Sequence, residues 1–235
     1  MPKLYLQTSA PRLDLSMEFY RKLGYTLHEI SERVHLAMDK NMAIILNGEA
    51  GSRTGMVLYH ENPVEIKEAL ADQHTIYRHA DVDFTADYNN VRLFIHPIDE
   101  QPDILEDADI AYNMCGTCFG VGIESVHFEA SILFWSLVGF TTDTVISDDL
   151  QYVTMKCAYG PDLTIFRPGN CPHAFQNPSL TYFNGKEGNK RVIDKLVDTK
   201  INIAEFVSVF NKEGIADNII ISDPGGLHSF IFNDG

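Results

Sequence analysis

Four cysteines, nine histidines and a scatter of carboxylates and phenols are the groups in this sequence with which chemistry could be done. Cys115-Gly116-Thr117-Cys118 is a C-x-x-C pair. A zinc site there would need two further ligands, for which Cys157, Cys171 and His173 stand in the chain, but their spacing matches no regular zinc ribbon. A thioredoxin-like dithiol belongs at a helix N-terminus after a strand, whereas here a strand pattern follows the pair. Reduced, idle thiols are therefore the expectation. The histidines form no H-x-x-x-H or H-x-H pair. No G-x-S-x-G elbow, phosphate-binding P-loop or dinucleotide G-x-G-x-x-G is present, and Gly120-x-Gly122 lacks a third glycine.

Such groups need elements to hold them, and the composition supports a full core: 45% of the 235 residues are hydrophobic. The 33 acidic against 18 basic residues leave a net charge of −15, which repels phosphate backbones and argues against nucleic acid as a partner. The charge is spread along the chain, as on a solvated acidic surface. Met1-Pro2-Lys3-Leu4-Tyr5 lacks a basic stretch followed by an apolar one, and no run approaches the about 20 apolar residues of a membrane helix. A soluble, cytoplasmic protein with no membrane partner is expected.

Comparing the chain with itself exposes its organisation. Ser16-Met17-Glu18-Phe19-Tyr20-Arg21-Lys22-Leu23-Gly24-Tyr25 recurs as Ser131-Ile132-Leu133-Phe134-Trp135-Ser136-Leu137-Val138-Gly139-Phe140, at an offset of 115 without a gap. Both copies have apolar residues at helical spacing and end on a glycine able to cap a helix. Strand patterns surround each copy: Lys3–Thr8, Tyr25–Ser31, Val34–Met38 and Met42–Asn47 in the first, and 121–125, 142–147, 150–157 and 163–167 in the second. Weaker versions of the same βαβββ pattern occupy 54–100 and 178–235. The spacing thus predicts an α+β fold of four βαβββ modules paired into two curved mixed sheets. The expected division is 1–100, a linker at 101–118 and 119–235, with neighbouring modules sharing a sheet because connections are short. Trp135 and Tyr20, at equivalent helix positions, are expected to pack in the core.

The S-x-x-F-[YW]-x-x-[LV]-G-[FY] segment following a strand, together with Asp223-Pro224-Gly225-Gly226 before the last strand, resembles the vicinal oxygen chelate superfamily of glyoxalases, bleomycin-resistance proteins and extradiol dioxygenases. The resemblance implies sheets that curve around a pocket and, in the enzymes, a divalent metal held by a His, Gln or Glu on a first strand and a Glu on a last strand. The matching first-strand positions are Tyr5 and Gly120, and the last-strand positions fall at Ile44, Leu93, Ile165 and Phe230. No metal and no other cofactor is expected from such a set.

Polar candidates for the concave faces are Tyr5, Gln7, Tyr59, Glu124 and Tyr182 on first strands, with Arg167 and His228 on last strands. Core packing or plain solvation is the simpler account of each taken singly. Glu124, if buried, would carry a raised pKa and could anchor a ligand or act as a base. The function expected is metal-independent binding or conversion of a small molecule in a concave pocket. The alternatives are a divalent-metal-dependent lyase or extradiol-type dioxygenase, and a structural role in which the pockets are filled by their own side chains. Whether the chain is catalytic is left open, as is a homodimer.

Overall fold

The computed structural model describes residues 1–79, 81–103, 110–170, 173, 175–210 and 212–233. Part of the expected linker, 104–109, lies outside the described residues, as does Cys171. The first half contributes β1 (Lys3–Ser9), α1 (Leu13–Leu23), β2 (Thr26–Ser31), β3 (Val34–Met38), β4 (Ala43–Asn47), β5 (Gly55–His60), α2 (Pro63–Ala71), β6 (Tyr77–His79), β7 (Val82–Ala86) and β8 (Arg92–Pro97). The second contributes β9 (Thr117–Glu124), α3 (Phe128–Val138), β10 (Tyr152–Met155), β11 (Leu163–Phe166), β12 (Ser179–Phe183), α4 (Lys186–Asp198), β13 (Ile203–Val207), β14 (Asn218–Ser222) and β15 (His228–Phe232).

These strands build two sheets, ordered β2-β3-β4-β1-β5-β8-β7-β6 and β10-β11-β9-β12-β15-β14-β13. Modules one and two share the first sheet, and modules three and four share the second. In each sheet two modules meet at an antiparallel pair of first strands, β1 with β5 and β9 with β12. The parallel pairs β1 with β4 and β5 with β8 are bridged by the module helices, as parallel strands require a crossover.

Two expectations needed correction. The strand expected at 142–147 does not form; Thr141 alone bridges to Lys156. Val145 and Ile146 are the only apolar residues there, and they are 85% and 36% exposed, so nothing is buried that would stabilise a strand. In the weaker second module, where periodicity reads His79–Thr85 as one strand, the chain instead forms a hairpin of β6 and β7, in which Tyr77 pairs with Phe84.

The repeated helices end as their glycines predict. Gly24 has φ +93° and Gly139 φ +114°, and the next residues, Tyr25 and Phe140, donate back to the carbonyls of Tyr20 and Trp135. At Gly139 a Cβ would also collide with the Tyr159 hydroxyl, which donates to the Val138 carbonyl at 2.6 Å.

The helix-facing sides of both sheets join one continuous core, from Leu6, Ile44 and Leu58 to Ile123, Trp135 and Ile231. The repeat sets up reciprocal clasps across it. Tyr20 of α1 donates to Asp223 in the second half at 3.0 Å, and Trp135 of α3 donates its indole N–H to Asp87 in the first half at 3.3 Å. Each aspartate also binds its own turn: Asp223 accepts from the Leu227 amide, and Asp87 from the amides of Asn89 and Val91. Burial pushes both carboxyls above the usual carboxylate range, opposed by these hydrogen bonds. Tyr20 and Trp135 are thus core residues, as their position in the repeat implies.

Candidate functional site

Side chains alternate across a strand, so each sheet has a second face pointing away from the helices. On the first sheet that face carries Tyr5 and Gln7 of β1, Ala43, Ile45 and Asn47 of β4, Val57 and Tyr59 of β5, and Arg92, Phe94 and His96 of β8. A separate small cluster of Tyr5, Leu36, Ile45, Val57 and Tyr59 packs at its centre.

Beside this cluster lies a cavity of about 780 Å³, a size typical of small-molecule sites. Its aromatic wall runs across three strands: Tyr77 stacks on Phe84 at 5.4 Å, and Phe84 lies 5.9 Å from Phe94. Polar groups come from Gln7, Asn47, Arg53, Arg78, His79, Arg92 and His96. Asn47 donates its amide to the Gln7 carbonyl oxygen at 3.0 Å, and Gln7 donates to the Arg53 backbone carbonyl at 2.8 Å, fixing the 47–53 loop against the sheet. His96 bonds Glu100 through Nδ1 at 2.8 Å and packs on Tyr59 at 5.1 Å. A second cavity, of about 790 Å³, opens past Tyr5 between Lys3, Met42, Asp99 and Tyr159.

Desolvation raises both inward phenols, Tyr5 and Tyr59, the latter to about 12. They remain protonated at neutral pH and can donate hydrogen bonds, but neither is a base.

The second sheet differs. Phe175, from the loop after β11, inserts over β9, where a Cβ on Gly122 would lie 3.2 Å from its ring. It packs 4.9 Å from Phe230 and 5.8 Å from Phe166, and His173 lies 4.7 Å from Phe230 and 5.1 Å from Phe232. Val207 and Ile220 complete this cluster. The glycines of Gly120-x-Gly122 thus have a steric role. Beyond Phe175, Gly120 has φ +134° and faces the Asp162 carbonyl so closely that a Cβ would overlap it.

Of the residues singled out by sequence, Tyr5, Gln7 and Tyr59 meet on the first sheet. Tyr182 does not point into a concave face. Strand β12 places Ser179, Thr181 and Phe183 there, and Tyr182 is buried in the common core with its hydroxyl 2.9 Å from that of Tyr25. Arg167 is turned toward α3: it donates to the Leu150 carbonyl, pairs with Glu129 at 2.5 Å and lies 4.3 Å over the Phe128 ring. Glu124 stands at the rim of the second sheet, where its carboxylate accepts from the Gly169 amide at 3.4 Å and its backbone holds Asn177. His228 lies on the second sheet's concave face with Nδ1 buried, and burial lowers its pKa against the opposing charge of Glu205.

The last-strand positions also need a correction. Ile44, Leu93 and Ile165 face the helices, one residue out of phase with the concave face, and only Phe230 points as expected. The side chains that do face inward on those strands are Ala43, Ile45 and Asn47; Arg92, Phe94 and His96; Thr164 and Phe166; and His228, Phe230 and Phe232. None is a carboxylate, and no group of three His, Cys, Asp or Glu able to hold a metal ion occurs among the described residues. A divalent ion held by a first-strand donor and a last-strand Glu does not fit this donor set.

Cys115 and Cys118 lie between the halves. Cys115 is fully buried and Cys118 touches the Met42 sulfur at 3.6 Å. Burial raises both thiols, Cys118 to about 12, so neither supplies a thiolate at neutral pH. No described helix is long and apolar enough to cross a membrane.

Sequence reasoning missed Asn47, Arg53, Arg78, His79, Arg92 and His96. Three of the chain's eight arginines line one cavity, but they are 14 to 39 residues apart, and only the sheet order brings β4, β6 and β8 to it.

No family model matches the chain, and no curated protein sequence matches it. Solved structures do. Homoprotocatechuate 2,3-dioxygenase from Arthrobacter globiformis superposes with a TM-score of 0.61 at 16% identity, covering 98% of this chain and 78% of that one. A Mn(II)-bound glyoxalase from Novosphingobium aromaticivorans gives 0.58 at 10% identity, covering 100% and 83%. A 4-hydroxymandelate synthase variant from Streptomyces coelicolor gives 0.57 at 10% identity, covering 97% and 91%. At these identities the likeness concerns the fold, and the chain has the tandem βαβββ fold of the glyoxalases and extradiol dioxygenases, as its helix repeat implies.

Proposed function

We propose that this chain binds a small organic molecule on the concave face of its first sheet and does so without a metal. The observation that carries the proposal is the cavity between the 47–53 loop and strands β6 to β8, which joins an aromatic wall to convergent polar groups. The second sheet supports the reading by contrast, since its equivalent face is occupied by Phe175 and its neighbours.

If the bound molecule is also converted, His96 is the group positioned for proton transfer. With Nδ1–H directed at Glu100, the imidazole keeps Nε2 as an acceptor. Tyr5 and Tyr59, held protonated, would orient a substrate through hydrogen bonds.

A thermal-shift screen of small metabolites tests the binding. A ligand that binds the native state alone at a hundred times its Kd raises stability by about 2.7 kcal/mol. Elemental analysis of protein purified without chelators tests the metal independence. Stoichiometric nickel, iron, manganese or zinc would overturn that half of the proposal.

A further inference from the structure

Resting on the first-sheet pocket as a binding site, we infer that its ligand is an organic anion: a planar or aromatic body carrying a carboxylate or phosphate, taken up by Arg92 with Arg53. The chain as a whole has a net charge of −15, yet the residues lining this cavity include three arginines and two histidines against one carboxylate, Glu49.

The three arginines are not equally engaged. Arg78 has Asp83 at 4.0 Å, and Arg53 donates to the Ser52 carbonyl at 2.8 Å. Arg92, half-buried on β8 between Val91 and Leu93 of the core, has neither an ion pair nor a side-chain hydrogen bond among the described residues. Its guanidinium lines the cavity without a partner of its own, and its fork matches the two oxygens of a carboxylate or phosphate. On the adjacent strand β5 its neighbour is Gly55, where a Cβ would lie 3.0 Å from that of Arg92, so the strand leaves its flank clear.

Next along the same face of β8 come Phe94 and His96, and Phe94 continues into the ring series of Phe84 and Tyr77. A ligand whose anionic group meets Arg92 therefore lays its body on aromatic rings. A purely hydrophilic anion would leave those rings unused, and an uncharged aromatic molecule would leave Arg92 unpaired.

The full-length chain is titrated by calorimetry and protein-observed NMR with benzoate, 3-phenylpropionate and phenyl phosphate, each beside its uncharged counterpart: benzamide, 3-phenylpropanamide and phenol. The expected result is an anion binding at least about tenfold more tightly than its neutral counterpart, with amide shifts at Arg53, Phe84 and Arg92. Arg92→Gln should remove that preference, reducing the ratio of anion to neutral affinity to within about twofold of one. If Arg92→Gln does not fold, Arg53→Gln in the exposed loop should reduce the same preference. A preference in either the carboxylate or the phosphate arm supports the inference and identifies the headgroup. Neutral compounds binding as tightly as anions, with Arg92→Gln unchanged, would overturn the anion inference and leave the pocket standing. Shifts confined to residues outside the cavity would overturn the pocket reading itself, and so would no binding by any compound of either charge.

Discussion

On the first sheet, Tyr77, Phe84 and Phe94 form a wall beside an open cavity, and Arg92 and His96 share their side of the sheet. On the second, Phe166, Phe175, Phe230 and Phe232 meet one another, and the loop carrying His173 and Phe175 covers the strands. Both faces are built from the same module and both are rich in aromatic residues. What separates them is the loop that follows β4 in the first half and β11 in the second. In the first half, residues 49–53 form one wall of the open cavity, tied through Gln7 and Asn47. In the second, the loop after β11 places Phe175 over Gly122. An aromatic concave face is therefore not in itself a pocket; whether it is open depends on what an adjacent loop inserts.

The largest expected effect tests that difference directly. Phe230→Ala should destabilise the protein by about 3–5 kcal/mol, because it empties a fully packed site. Phe94→Ala, on the open face and half-exposed already, should cost about 1–2 kcal/mol. Denaturant unfolding of both variants provides the check, and equal losses would show that the first face is packed as tightly as the second.

A smaller effect comes from filling the second face further. Gly122→Val places a Cβ within 3.1 Å of the Ser179 hydroxyl and 3.2 Å of the Phe175 ring, so about 1–3 kcal/mol of overpacking is expected. If Gly122→Val were neutral, Phe175 would not be held over β9 in solution.

The halves resemble each other most where they clasp, and that similarity can be measured. Trp135→Phe deprives Asp87 of an indole donor and Tyr20→Phe deprives Asp223 of a hydroxyl donor, each change leaving a buried carboxyl short of a hydrogen bond. Losses of about 1–3 kcal/mol are expected for both. A loss at one clasp alone would mean that the two are equivalent in geometry but not in energy.

The smallest effect is in pH dependence. Asp87 has its pKa raised in the folded chain, chiefly by burial, so between the ordinary aspartate range and that raised value the folded state holds more protons than the unfolded one. This carboxyl's contribution is complete below its unfolded pKa and is lost as pH rises through the folded one. Asp87→Asn removes that contribution, so stability should fall less steeply, or rise more, with pH across the acidic range than in the parent chain. A steeper fall in the variant would mean that the folded carboxyl is not raised.

Four modules, the helix ends at Gly24 and Gly139, and the core role of Tyr20 and Trp135 were all legible in the sequence, because each follows from local periodicity or from a repeat without gaps. The inward positions of Tyr5, Gln7 and Tyr59 were also legible, since β1 and β5 alternate regularly. Tyr182, Ile44, Leu93 and Ile165 were assigned to the wrong face. Strand phase has a period of two, so a one-residue error inverts every side chain, and the ladder between β9 and β12 shifts register between Thr181 and Tyr182. The cationic character of the cavity could not be read from the chain, because Arg53, Arg78 and Arg92 come from a loop, a hairpin and a last strand whose neighbours are set by sheet order. Local pattern thus determined which elements form and which faces are apolar. Only the tertiary structure decided which concave face stays open and which charges line it, because both depend on long-range placement of loops that periodicity does not encode.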